Sequence, residues 1–299
     1  MTKAIIVAFH KYTPFGDEFY EPILDFFLAN MKKYEDEYDQ LYLVDSNWNI
    51  KFEKMTNAKI TCAKVSPHLR YYDAYKQILP LIKEDLVLFM DNDMVVYKPG
   101  KIKLTFDLLQ DYYDFENGRG QTYVKSDVVS IYDTIGTYKT DKLNGKNKFC
   151  PYWFATRRDL LMKYRDVEWG PNMPEHETLG KLTEAMLVDG IKPYEWEEDK
   201  SNCLFDSQDG EMGKNLGYYH IRAGSTPAYL LATKKYGDIK TYWDYINNQP
   251  QNEYLRQCAW YDLMMPDINP YFLNMLNDMK VTPEDFYEYM HRFKNYHGL

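Results

Sequence analysis

Asp91 and Asp93 are the residues of this chain best placed for chemistry. They follow a run of five apolar residues, Leu86-Val87-Leu88-Phe89-Met90, and only Asn92 separates them. Such a run reads as a buried strand of a parallel sheet, covered on both faces. Ligands of open α/β sheets gather at the carboxyl ends of such strands. Two hard oxygen ligands at that exit suit Mg2+ or Mn2+ carrying a diphosphate. An Asp-x-Asp in an acidic protein also arises by chance in a polar loop, and the strand-end position is what separates the two readings. His220 is the other residue singled out by its setting. Among six histidines it alone follows a short strand-like run, Gly217-Tyr218-Tyr219, and precedes a small-residue turn at Gly224.

The elements that must position these residues follow from hydrophobic periodicity. Ala4 to Phe9 predicts a first strand, ending at His10-Lys11-Tyr12-Thr13-Pro14. A helix is expected over about 21–34, where Ile23, Phe26, Phe27 and Met31 recur at helical spacing. Leu41 to Val44 predicts a second strand, ending at Asp45-Ser46-Asn47, and residues 59–63 a third. His68-Leu69-Arg70 leads into a helix over about 71–82, which hands over to the strand before Asp91. This alternation predicts right-handed crossovers and a mainly parallel sheet. Residues 122–137 predict one or two further strands, and Asn144-Gly145 a turn. Phe149 to Phe154 is an aromatic segment preceding a helix over about 158–164. Another helix is expected from about Glu175 to Val188, closed by Gly190. Thr226-Pro227 is a cap-then-proline helix start, and the pattern is helical from there on. The boundary drawn is near residue 226: an α/β domain over 1–226 and a C-terminal helical extension over 227–299.

Composition narrows the function classes. A net charge of −9 and only short basic clusters argue against nucleic acid as the main partner. The four cysteines show no Cys-x-x-Cys spacing and signal neither a zinc site nor a disulfide framework. No stretch approaches the roughly 20 apolar residues of a spanning helix. The chain opens Met-Thr-Lys and enters a strand-like run, so no leader is expected and a cytoplasmic protein is the default. An aromatic content of 17%, with 29 tyrosines, fits either stacking on bases and sugars or biased composition.

The tract from His68 to Pro80, followed by Asp85 to Val96, resembles what metal-dependent glycosyltransferases of the GT-A (Rossmann-like) fold carry. The likeness extends over about residues 1–226 and supports the superfamily, not one activity. It implies a mixed, mainly parallel sheet flanked by helices, and transfer of a sugar, of hexosyltransferase type, from a nucleoside-diphosphate sugar (UDP favoured) to a hydroxyl acceptor such as a glycan. It implies that Asp93 binds Mn2+ or Mg2+ directly, with Asp91 holding it through water or touching the ribose and Asn92 beside the donor. Ala8, Phe9, His10 and Tyr12 would line the base pocket, and Asp45 would reach the base or ribose. Arg70 and Asp73 would face the donor sugar or its phosphates, although an Arg/Asp pair there also reads as a surface ion pair.

The resemblance further implies that His220 completes the metal site and that Arg222 and Ser225 contact the leaving diphosphate. A core histidine is the competing reading of His220. Inverting members place a carboxylate at a helix start to deprotonate the acceptor. Glu177 is favoured for that role and Glu175 is second; inversion is favoured with them. Two residues apart on a helix, the two side chains point roughly 200° apart, so only one of them faces the site. Acidic residues in a first turn also complement the helix dipole, which leaves that alternative open. Asp206 is a further candidate. Phe149 to Thr156 resembles the segment that lines the sugar pocket, with Trp153 stacking on a sugar face or buried in an aromatic core.

Three alternatives stand beside this reading. A sugar-phosphate nucleotidyltransferase needs a glycine-rich phosphate loop after the first strand, where this chain has a single Gly16. A two-metal hydrolase needs clustered ligands, and the histidines are scattered. A non-catalytic carbohydrate- or protein-binding module would use the tyrosines as its surface and has no need of a strand-end Asp-x-Asp. The C-terminal helices carry no catalytic signature, and an acceptor-binding or homo-oligomer role is the expectation for them.

Overall fold

Side-chain parity along the strands creates two apolar layers, one on each face of a sheet. On β1 (Lys3–Phe9), Ile5, Val7 and Phe9 face one core cluster while Ala4 and Ile6 face the other. On β4 (Leu86–Met90), which is buried at every position, Leu86, Leu88 and Met90 face the first and Val87 and Phe89 the second. A strand buried on both sides has no polar face to alternate with, which is why its sequence reads as a continuous apolar run.

The structure, a computed structural model, describes residues 1–11, 13, 15–66, 69, 71–96, 99–110, 112–113, 122–123, 126–133, 148–171, 178–195, 218–220 and 226–236. Besides β1 and β4, the central elements are α1 (Asp17–Lys32), β2 (Gln40–Asp45), β3 (Ile60–Lys64) and α2 (Tyr71–Ile78). After β4 come β5 (Met94–Val96), α3 (Lys101–Asp107), the short β6 (Tyr112–Tyr113) and β7 (Thr122–Tyr123), then β8 (Val128–Asp133) and β9 (Lys148–Arg157). The remainder is α4 (Arg158–Lys163), α5 (Gly180–Val188), β10 (Pro193–Glu195), β11 (Tyr218–His220) and α6 (Thr226–Tyr236).

Seven strands form the main sheet in the order β10-β8-β9-β4-β1-β2-β3. All neighbours are parallel except β9, which runs antiparallel to both β4 and β8. This is the mixed, mainly parallel sheet flanked by helices expected from the sequence. α1, α3 and α6 contribute to one core layer, and α2, α4 and α5 to the other. In the second layer Phe89 stacks near Phe154, with ring centroids 6.0 Å apart, and meets Trp169 edge-on at 5.9 Å. Much of the aromatic excess is therefore core material, each such pair contributing about 0.5–1.5 kcal/mol beyond area burial.

One unassigned segment is placed and two expected helix starts are corrected. The segment Phe149 to Phe154 belongs to the ten-residue strand β9, because its residues pair with both β4 and β8. α1 begins at Asp17, behind Gly16, whose φ of +86° is one a side chain resists. α5 begins at Gly180, behind Leu179 at φ +61°, so its first turn lies beyond Glu175 and Glu177. Those two residues are outside the described ones.

α6 belongs to the same core as the sheet. Ala228, Leu231 and Ala232 are buried in the first layer, and a Cβ on Gly16 would lie 2.5 Å from the Ala232 Cβ. No helix among the described residues is long and apolar enough to cross a membrane.

Candidate functional site

The carboxyl edge of the sheet is built where β1, β2 and β4 end together. β1 and β4 pair only as far as Val7–Met90, whereas β1 continues beside β2 to Phe9–Asp45. The ladder between β1 and β4 therefore ends there, and Asp91, Asn92 and Asp93 follow β4 at that edge. Asp93 is buried at 4% exposure, while Asp91 and Asn92 are partly exposed. The motif is a tight turn: the Met94 N–H donates to the Asp91 carbonyl at 3.2 Å and the chain enters β5. Asn92 Nδ2 donates to the Ala8 carbonyl at 3.3 Å.

β5 carries the motif toward His220. It pairs antiparallel with β11, and the register sets His220 opposite Met94, the residue after Asp93. Two segments 126 residues apart in sequence are thus brought to one edge. β5 is itself anchored by buried Asn30 of α1, whose Nδ2 donates to the Val96 carbonyl at 2.7 Å and whose Oδ1 accepts the Val96 N–H at 3.0 Å. The His220 side chain is outside what the structure describes; among the described residues no three or more His, Cys, Asp or Glu side chains gather as a metal cluster. The donor chemistry at this edge fits a hard divalent cation: two carboxylates at one turn, with a histidine-bearing strand in register beside them.

Tyr75, which sequence reasoning passed over, lies beneath this turn. Its phenol oxygen accepts the Ala8 N–H at 3.3 Å and donates to the Met90 carbonyl at 3.3 Å. Burial, and then the negative charge of Asp91 and Asp93, push its pKa well above the usual tyrosine value, so it stays a neutral donor. Only the helical spacing of Tyr72 and Tyr75 on α2 hints at such a role.

At the β1 exit, His10 is half-buried and its Nδ1 lies 2.8 Å from Ser46 Oγ. Burial lowers its pKa below 6.5. Lys11 is fully buried, pairs with Asp17 and lies over the Tyr20 ring at 5.7 Å, which fastens the exit to α1. Sequence reasoning missed this amine as well, since a buried lysine has no periodic signature.

Three residues expected beside the ligand are buried, Trp153 in the aromatic core that was its other reading. The Phe9 ring is fully buried against Phe27 and Trp48, so only its backbone reaches the edge. Asp45, 3% exposed, accepts the N–H groups of Trp48, Asn49 and Ile50 at 2.7, 3.1 and 2.9 Å, so its carboxylate organises the β2 exit loop instead of reaching outward. Trp153, 1% exposed, donates from its indole to Thr105 Oγ1 at 3.2 Å and is a core residue with no face for a sugar. Asp73 is partly exposed in the first turn of α2. Tyr12, Arg70, Glu175, Glu177, Asp206, Arg222 and Ser225 lie outside the described residues.

No family model matches the sequence, and no curated protein does. Among solved structures the chain is similar to glycosyltransferase GlyE of Streptococcus pneumoniae, at 11% identity and TM-score 0.43, covering 88% of this chain and 64% of that one. It is similar to a nucleotidyl transferase from Methanothermobacter at 12% identity and TM-score 0.40, covering 64% and 85%. It is also similar to the bifunctional IspDF of Campylobacter jejuni at 16% identity and TM-score 0.39, covering 67% of this chain and 51% of that one. The chain therefore spans about half the length of IspDF and less than two thirds of GlyE. These are likenesses of outline, and the architecture stands on the strand order described above.

Proposed function

We propose that this chain is a metal-dependent glycosyltransferase moving a sugar from a nucleoside-diphosphate sugar, UDP favoured, to a hydroxyl acceptor with inversion. One observation carries the reading: an Asp-x-Asp turn leaves a central parallel strand beside a strand whose His220 is in register with Met94. In this reading Asp93, Asp91 and His220 hold Mn2+ or Mg2+. The bound ion supplies Lewis-acid neutralisation of the charge on a departing diphosphate. Arg222 and Ser225 contact that diphosphate, and Arg70 and Asp73 orient the donor sugar. Ala8, His10 and Tyr12 border the base. Glu177, or Glu175 in its place, takes the proton of the acceptor hydroxyl.

A panel of nucleotide sugars, assayed for hydrolysis with and without Mn2+, tests the proposal. Metal-dependent turnover of one donor that is lost in Asp93→Ala is the expected result. Turnover unchanged in Asp93→Ala would sink it. Pyrophosphate release from a nucleoside triphosphate and a sugar phosphate would identify a nucleotidyltransferase instead. A thermal melt unmoved by any nucleotide, with or without metal, would favour the binding module.

A further inference from the structure

We propose that Tyr75 is a positioning residue: its phenol clasps the last rung between β1 and β4 and, together with Asn92, fixes where the Asp91–Asp93 turn stands. The ladder between the two strands stops at Val7–Met90. In a parallel ladder of this register the last rung runs from the Ala8 N–H to the Met90 carbonyl, and the next would bring the Asn92 N–H to the Ala8 carbonyl. Both groups of that last rung also bond to one oxygen, that of Tyr75. Where the ladder stops, the Asn92 side chain takes the Ala8 carbonyl in place of the next rung, so that backbone acceptor stays satisfied. The edge beyond that rung is where ligands of such sheets collect.

Asn92 completes the clamp. It donates to the Ala8 carbonyl, so Ala8 is gripped at its N–H by Tyr75 and at its carbonyl by the motif itself. Asn92 thereby acts on backbone rather than on a donor. The two bonds connect the base-pocket edge of β1 to the carboxylate turn of β4, so each sets the place of the other. The Tyr75 ring is held in turn by Phe89, 4.7 Å away, and the helix beneath it belongs to the same core layer. A rigid supporting shell of this kind is what keeps a binding constellation within a fraction of an ångström of its working geometry.

The inference rests on the proposed metal and diphosphate site for its functional meaning, but its mechanical content is measurable alone. Tyr75→Phe removes the bridging oxygen and keeps the ring. Phe89→Leu disturbs the packing of that ring and keeps the bridge, which makes it the control for simple destabilisation. Amide hydrogen exchange should speed up in Tyr75→Phe at Ala8 and also across Asp91 to Met94, while Phe89→Leu speeds it without that focus. Acceleration confined to Ala8, or spread evenly over the sheet, would overturn the proposal.

Mn2+ titration in the presence of UDP gives the second readout. Tyr75→Phe and Asn92→Ala are each expected to weaken binding about five- to tenfold. Because both grip one residue, the double variant should lose less than the product of the two; a fully multiplicative loss, or none, counts against the clamp. If the unaltered protein binds no metal with any nucleoside diphosphate, the proposed function fails, and the exchange pattern still decides whether Tyr75 positions the turn.

Discussion

His10 shows how one side chain at the β1 exit reports on its surroundings. It is half-buried beside Ser46, and burial holds its pKa below the ordinary 6.5. Because the folded value lies below the unfolded one, the unfolded chain takes up the proton first as pH falls. The stability tied to neutral His10 is fully present above pH 6.5 and is lost as pH drops through the folded value. A ring-proton NMR titration should therefore place its midpoint below 6.5, with the urea midpoint sliding over the same window in the natural protein and less in His10→Gln. A midpoint above 6.5 would contradict the burial argument. The Asp91–Asp93 pair was legible at this scale because an apolar run and a carboxylate pair are local patterns. The inward turn of Phe9, Asp45 and Trp153 was not, since it depends on strand parity and on partners far off in sequence, such as Thr105 for Trp153.

Among the elements, β5 is the critical short one. Three residues of strand are marginal without external support, and Asn30 supplies it through both backbone groups of Val96. Asn30→Ala leaves a buried N–H and a buried carbonyl unmatched, at a cost of about 2–4 kcal/mol. Urea unfolding should show that loss, and exchange at Val96 should rise before exchange in β1. A change below about 0.5 kcal/mol, the range of ordinary surface substitutions, would mean the two bonds are not made. β1 to β4 and the helices between them could be read from periodicity, while β9 could not. Its Phe149-Cys150-Pro151-Tyr152-Trp153-Phe154 run has no alternation and contains a proline, so only the pairing with β4 and β8 reveals a strand. The start of α5 was misplaced for the opposite reason: Pro174-Glu175 carries a strong local start signal, yet the helix begins behind Leu179.

For the whole molecule, the contact between α6 and α1 joins the two ends of the described chain. Lys235 Nζ and Tyr236 Oη both donate to Glu18 Oε1, at 2.8 and 2.5 Å. Exposed ion pairs of this sort contribute about 0–1 kcal/mol. The Gly16–Ala232 approach matters more. Gly16→Ala forces a Cβ to within 2.5 Å of the Ala232 Cβ and places a side chain at φ +86°. Backbone strain and overpacking together predict a loss of roughly 2–4 kcal/mol. Limited proteolysis should then cut in α6 of Gly16→Ala sooner than in Lys235→Ala. Equal cutting rates would assign the docking to the ion pair after all. The boundary near residue 226 was drawn from a change of pattern; that the helix beyond it returns to the first core layer depends on small residues meeting, which no periodicity announces.

The reversed direction of β9 has a consequence for where selectivity is tuned. In a wholly parallel sheet, the residues after each strand crowd the ligand edge. Because Trp153 is level with Met90 and β9 runs the other way, it is residues 148–152, entering the strand, that extend past Met90 toward Asp91. β8 reaches the same edge at Asp133, paired with Lys148. Under the proposed function, a redesign meant to change which donor is accepted should therefore rewrite the approach to β9 and leave α4, which follows it at the opposite edge, untouched.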